Sequence, residues 1–385
     1  MTRLLRIPKS IFHNSNIPPR HHFYHHNYHY RQLTTTTVSN ILLPPAVFLG
    51  LPLTLWTYKC LMMITLQNKI IYMPNIPPYS RSETIDDYAE QCRPVQWKGD
   101  SLVTGDGARI SLAVGEIPKD EDANKVENGG EDVVVLYFQG NAASLPPRLP
   151  YLSRVMRMAD GDGMLSIANG LKKNITVVAV SYRGYWTSTG SPSQKGIEQD
   201  ADAALSWVLE RYFSRDSPRR RKLMIWGQSI GAGVATNLTA NYLHDPHAFR
   251  AQSQLASQDE SVVLSGLILE TPFTNMRDLL FAFYPQKWHP YRYLSPFVRS
   301  HWDSLQSTQR IAEAPADHKR PRIVMLEAGA DEVVPAGNAE QLERHCRELG
   351  LDVERKVIKN ALHSGVLAKR DGQVLVAQFL RDDSG

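Results

Sequence analysis

Short runs rich in Val, Ile and Leu alternate with amphipathic segments along most of this chain. That alternation constrains the fold more than any other feature. Residues 133–138, 174–182, 222–226, 262–269, 322–326 and 353–358 read as strands. Residues 146–158, 197–212, 230–243, 338–349 and 374–380 read as helices. In the second of these helices Ala201, Ala204, Leu205 and Val208 fall on one stripe. Strands alternating with helices make parallel β-α-β units, whose helices cover both faces of one sheet. The expected class is α/β, with a mostly parallel central sheet. Residues 94–115 precede it as a hairpin turning at Gly105-Asp106-Gly107. Residues 118–132 read as a solvated polar connection, and Asp160-Gly161-Asp162-Gly163 as a turn. Residues 275–313 break the rhythm with Tyr, Trp, Phe and Pro, which predicts a small cap over the sheet.

The strand at 222–226 runs into Gly227-Gln228-Ser229-Ile230-Gly231, and a helix follows. This G-x-S-x-G pattern in a strand-turn-helix context predicts a nucleophilic serine on a tight turn. Side chains at the two flanking positions would clash, so both are glycine. Ser229 is then held in strained geometry with its hydroxyl above the sheet, beside a helix N-terminus. A serine hydroxyl is a weak nucleophile and needs a base, and the base needs an acid to orient it. On such a sheet the chain order is serine, acid, histidine, with the acid just after a late strand. Asp331 stands in that loop, with Glu332 beside it and Glu270 at the end of the preceding strand as competitors. Two histidines follow Asp331: His345 inside a predicted helix, and His363 in the loop after the final strand, which makes His363 the candidate base. An oxyanion needs preorganised N–H donors. The candidates are Ile230, directly after the serine, and Asn141 in the loop Gln139-Gly140-Asn141 that follows an early strand.

Charge divides the chain in two. Its 385 residues carry 43 Lys and Arg against 39 Asp and Glu. Eight of the basic residues and none of the acidic ones fall in residues 1–82, which leaves 35 basic against 39 acidic in the body. A body so balanced gives no electrostatic case for nucleic-acid binding. Residues 1–40 read as a disordered basic leader. The histidines within 21–26 have no fixed geometry around them and are not expected to hold a metal. Residues 41–67 read as a membrane anchor: 41–58 run without a charge, Lys59 interrupts, and the apolar run resumes to Leu66. Pro44 and Pro45 are expected at the start of the span, and Lys59 to snorkel. Basic residues before the span and few closely after it predict a cytosolic N-terminus. The sequons at Asn174 and Asn237 fall in predicted regular structure and do not test that topology. Cys60, Cys92 and Cys346 make neither a disulfide framework nor a C-x-x-C pair.

Several stretches together resemble the α/β-hydrolase superfamily. They are Gly140-Asn141-Ala142, Ser181-Tyr182-Arg183-Gly184-Tyr185, Ile225-Trp226-Gly227-Gln228-Ser229-Ile230-Gly231 and Leu269-Glu270-Thr271-Pro272-Phe273-Thr274-Asn275. Within that superfamily the chain looks like the membrane-anchored branch of monoacylglycerol and lysophosphatidylserine lipases with an N-terminal span, and like related fungal hydrolases. The resemblance covers roughly residues 68–385 and implies an α/β-hydrolase domain there, with the cap at about 275–313. It implies Ser229 as nucleophile, Asp331 as acid, His363 as base and Asn141 and Ile230 as oxyanion donors, with no cofactor. Gln139 and Gln228 depart from the histidines usual at those positions, so substrate preference transfers less well.

The expected function is a membrane-anchored serine hydrolase that cleaves long-chain acyl esters such as monoacylglycerol or lysophospholipid. A protein-depalmitoylating thioesterase is the enzyme alternative, with an acylated protein as substrate. A non-catalytic membrane scaffold is the third reading. The anchor favours the endoplasmic reticulum or another endomembrane, and the acid-free leader offers a mitochondrial alternative.

Overall fold

Alternate residues of the central strands point to opposite sides of the sheet, and both sides are buried. Val134, Leu136 and Phe138 join one core, while Val133, Val135 and Tyr137 join a second. This is the period of two expected of a strand covered on both faces. The computed structural model describes residues 35–118, 132–142, 144–161, 174–213, 221–251, 262–283, 286 and 290–382. The histidines at 21–26, most of the connection at 118–132, and Asp162-Gly163 lie outside the described residues.

The elements are, in order, α1 Thr35–Thr65, α2 Gln67–Tyr72, α3 Ala89–Cys92, β1 Gln96–Val103, β2 Arg109–Glu116, β3 Asp132–Phe138, α4 Leu149–Asp160, β4 Ile175–Ser181 and α5 Gln194–Tyr212. Then follow β5 Arg221–Gln228, α6 Ile230–His244, α7 Pro246–Ala251, β6 Leu264–Glu270, α8 Met276–Phe283, α9 Ser304–Ala312, β7 Arg322–Ala328, α10 Asn338–Glu348, β8 Val353–Ile358 and α11 Arg370–Arg381. The sheet order is β1-β2-β4-β3-β5-β6-β7-β8. β1 and β2 are antiparallel, β2 is antiparallel to β4, and every other pairing is parallel. Residues from α5 and α6 fill the first core; residues from α4 and α11 fill the second.

The order of winding places the site. From β3 the chain goes to β4 on one side and then to β5 on the other. The loops leaving β3 and β5 therefore diverge and open a crevice at the carboxyl edge, where ligands bind in open α/β sheets. The loop with Asn141 follows β3, and Ser229 follows β5.

Two compact units are distinguished, Met1–Thr57 and Tyr58–Gly385. The second begins at Tyr58, ahead of the expected start at residue 68. The physical reason is that residues between the two are fastened to the body: Gln67 is buried and its side chain is hydrogen-bonded to residues 297 and 299. The segment expected as an anchor is helical, and Leu43–Thr65 is long and apolar enough to cross a bilayer. Pro44 and Pro45 do not start the helix as expected. α1 begins at Thr35, so Pro44, Pro45 and Pro52 all lie inside it, each withholding one helical hydrogen bond.

The turn at Ser229 depends on two glycines. A Cβ on Gly227 would stand 2.0 Å from the Gly231 carbonyl oxygen, and one on Gly231 would stand 2.2 Å from that of Phe138. Both obstacles are backbone, so neither can move aside. Gly231→Ala is expected to lower unfolding stability by about 3 kcal/mol or more. Chemical denaturation checks this, and an unchanged midpoint contradicts it.

Candidate active site

Ser229 joins β5 to α6 with φ 53° and ψ −117°, a left-handed conformation that a serine adopts only under constraint. Two hydrogen bonds hold the turn: the Ser229 N–H donates to the Glu270 carbonyl at 2.8 Å, and the Ala232 N–H donates to the Ser229 carbonyl at 2.8 Å. The side chain is 8% exposed and lines a cavity of about 550 Å³.

The three side chains singled out in sequence form one hydrogen-bonded chain. Ser229 Oγ is 2.8 Å from His363 Nε2, and His363 Nδ1 is 2.9 Å from Asp331 Oδ2 and 3.0 Å from Oδ1. With Nδ1–H donating to the carboxylate, Nε2 is left to accept the serine proton. Asp331 Oδ1 also accepts the N–H groups of Val333 at 2.9 Å and Val334 at 2.8 Å. Burial pushes the Asp331 carboxyl up. The hydrogen bond and charge of His363, with the N–H groups of Val334 and Val333, outweigh burial and hold it below its ordinary 3.8.

The competing residues are occupied otherwise. Glu332 accepts the His363 backbone N–H at 2.9 Å and steadies the loop. His345 Nε2 faces the Leu305 carbonyl at 3.2 Å, away from this chain. Glu270 pairs with Arg148, whose Nη2 lies 3.0 Å from Oε1 and 3.1 Å from Oε2. Arg148 reaches further, donating from Nε to the Tyr137 hydroxyl at 3.1 Å and from Nη1 to the Ser364 carbonyl at 3.2 Å. Burial pushes the Glu270 carboxyl up, and Arg148 opposes that shift. The pair ties the end of β6, which holds the serine turn, to the residue after His363.

Asn141 and Ile230 line the same cavity as Ser229 and His363. Ile230 opens α6, where backbone N–H groups have no acceptor within the helix. Asn141 precedes Ala142, whose backbone is left-handed at φ 59° and whose N–H donates to Asn141 Oδ1 at 2.7 Å. Gln228 is buried beneath the site, its Oε1 3.4 Å from the Tyr137 hydroxyl. Gln139 is among the residues lining the cavity; its amide is buried, with no hydrogen-bond partner among the described residues.

The comparisons bear on fold and kinship. No protein-family model matches the chain. An alpha-beta hydrolase from Vibrio vulnificus is similar with a TM-score of 0.52 at 18% identity, over 81% of this chain and 92% of that one. The chain has the α/β-hydrolase fold. Among curated relatives, protein bem46 of Schizosaccharomyces pombe is 31% identical over 201 residues, 52% of each chain. The lysophosphatidylserine lipase ABHD12 of Danio rerio is 31% identical over 209 residues, 52% of this chain and 44% of its own. The WAV2 protein of Arabidopsis thaliana, an alpha/beta hydrolase domain-containing protein, is 26% identical over 283 residues, 71% and 73% of the two chains. The chain spans about half the length of the first two relatives.

Sequence reading missed Arg148. Its partner Glu270 lies 122 residues away, and nothing local to either announces the pair. Glu270→Ala leaves a guanidinium that is only 12% exposed without its counter-charge. It is expected to cost about 3–5 kcal/mol of stability, and replacing both partners by apolar residues recovers most of that loss. Urea unfolding of the single and double variants checks both halves. A second expectation concerns pH. Asp331 ionises below 3.8 when folded, so its contribution to stability is complete above pH 3.8 and fades as the pH falls through the folded value. The melting-point gap between wild type and Asp331→Asn is therefore present above pH 3.8 and closes below it.

Proposed function

We propose that this chain is a membrane-associated serine hydrolase acting on long-chain acyl esters, with monoacylglycerols and lysophospholipids as its substrate class. The observation that carries the reading is the chain of hydrogen bonds from Ser229 through His363 to Asp331, at the wall of a cavity lined mainly by apolar side chains. The names of the ABHD12 relatives support the lipid class, and the apolar segment Leu43–Thr65 supports association with a membrane.

In this reading the Ser229 oxygen attacks the acyl carbonyl while His363 Nε2 takes the hydroxyl proton. Asp331 keeps the imidazole oriented and stabilises its cationic form. The carbonyl oxygen becomes an oxyanion that accepts from the Ile230 and Asn141 N–H groups, each such donor typically contributing about 10²–10³ in rate. The tetrahedral adduct collapses, the C–O bond to the alcohol breaks, and His363 returns its proton to the departing oxygen. Water then repeats the sequence on the acyl-enzyme and releases the carboxylic acid. An endomembrane location is the accompanying reading, and membrane fractionation tests it against the mitochondrial alternative.

Purified full-length protein in lipid vesicles is expected to react covalently with a fluorophosphonate probe. Ser229→Ala is expected to abolish that reaction and to lower ester hydrolysis on the order of 10⁶-fold. A panel of monoacylglycerol, lysophospholipid and palmitoyl thioester substrates separates the lipase from the depalmitoylating alternative. A folded wild type that neither labels nor hydrolyses overturns the enzyme reading in favour of a scaffold.

A further inference from the structure

The cavity beside Ser229 is not walled by the cap alone. Met63, Ile64, Gln67, Ile70, Ile71 and Met73 form one side of it, and every residue of its lining lies within the unit Tyr58–Gly385. Met63 and Ile64 belong at the same time to Leu43–Thr65, the segment long and apolar enough to span a bilayer. Met276, Leu279, Leu280, Leu294, Phe297 and Val298, from α8 and the turns before α9, line the same cavity. A cavity of this size lined mainly by apolar side chains suits a hydrocarbon chain.

The juxtamembrane wall is fixed in place by polar contacts. Gln67 Nε2 donates to the Phe297 carbonyl at 3.0 Å, and Gln67 Oε1 accepts the Arg299 N–H at 2.7 Å. Arg299 Nη2 donates to the Ile64 carbonyl at 2.9 Å. At the far end of α2 the fully buried Tyr72 hydroxyl donates to Ser300 Oγ at 2.9 Å and accepts from Trp302 Nε1 at 3.0 Å. The Tyr72 carbonyl accepts from the Tyr185 hydroxyl, and it lies 3.4 Å from the Ala142 N–H in the loop that carries Asn141. The same stretch therefore touches residues 297–302 and the candidate oxyanion loop.

The rim of the cavity is apolar as well. Ile70, Phe297 and Val333 line the cavity while remaining 50%, 55% and 37% exposed. Lys69, also exposed, stands next to Ile70. Exposed apolar side chains at the mouth of a cavity suit contact with a lipid surface.

We propose that residues 63–73 form the acyl-binding wall of the active site, so that the segment continuous with the membrane span also selects the acyl chain. The occupant is the single hydrocarbon chain of a membrane-borne ester, lying between this wall and α8 with its carbonyl at Ser229. The inference rests on the serine-hydrolase reading above and names where its selectivity for chain length resides. Each methylene withdrawn from water contributes roughly fourfold to binding. Blocking a few methylene positions along this wall therefore changes chain-length preference strongly.

The test uses the full chain in phosphatidylcholine vesicles, with p-nitrophenyl butyrate and p-nitrophenyl palmitate as probes. The readout is the ratio of kcat/KM for the long ester to that for the short one. Met63→Trp and Ile64→Trp, which fill the wall, are expected to lower the ratio at least about tenfold while fluorophosphonate labelling persists. Met63→Ala, a milder change, is measured beside them and is expected to move the ratio toward longer chains. A ratio within about twofold of wild type in every variant that still labels overturns the proposal and leaves the hydrolase reading standing. A wild type that fails to label overturns the hydrolase reading instead.

Discussion

Everything at the carboxyl edge of the sheet depends on how closely α6 approaches the ends of β3 and β5. The approach is set by backbone meeting backbone at Gly227 and Gly231, where even one carbon would collide with a carbonyl oxygen. That contact forces Ser229 into a conformation that the chain does not adopt on its own, and the Glu270 carbonyl holds it there through the Ser229 N–H. The strain is local, but its support is not. Two cores, one on each side of the sheet, keep the strands in the register that brings Glu270 level with Gln228.

The groups around Ser229 come from far apart in sequence and meet because each follows a strand. Asp331 follows β7, His363 follows β8 and Asn141 follows β3. A parallel sheet brings the carboxyl ends of its strands to one edge, so loops with no sequence relationship become neighbours. Arg148 joins two of them by reaching Glu270 and the Ser364 carbonyl at once. Its burial next to the fully buried Glu270 carboxylate makes each group depend on the other, because either alone would be an uncompensated charge.

Those parts whose chemistry is local were legible in the sequence. Glycines around a serine, an acid just after a late strand, and a histidine in the last loop each announce themselves within a few residues. The same was true of the strands, because a run buried on both faces has little choice but to be apolar. The parts that were not legible are held by partners distant in the chain. Tyr72 meets Ser300 and Trp302, and Gln67 meets the backbone of Phe297 and Arg299, with nothing in either neighbourhood to advertise the contact. Met63 and Ile64 were hidden for another reason. Their apolar character was already accounted for by the reading of a membrane span, and one kind of side chain serves lipid and pocket equally well.

The boundary at Tyr58 has a consequence for how such a chain can diverge. A segment that only addresses a protein to a membrane can be exchanged by recombination without disturbing the rest. Here the seam that leaves the body whole lies before Tyr58, not after the last apolar residue. A junction placed beyond Met63 would discard side chains that line the cavity beside Ser229.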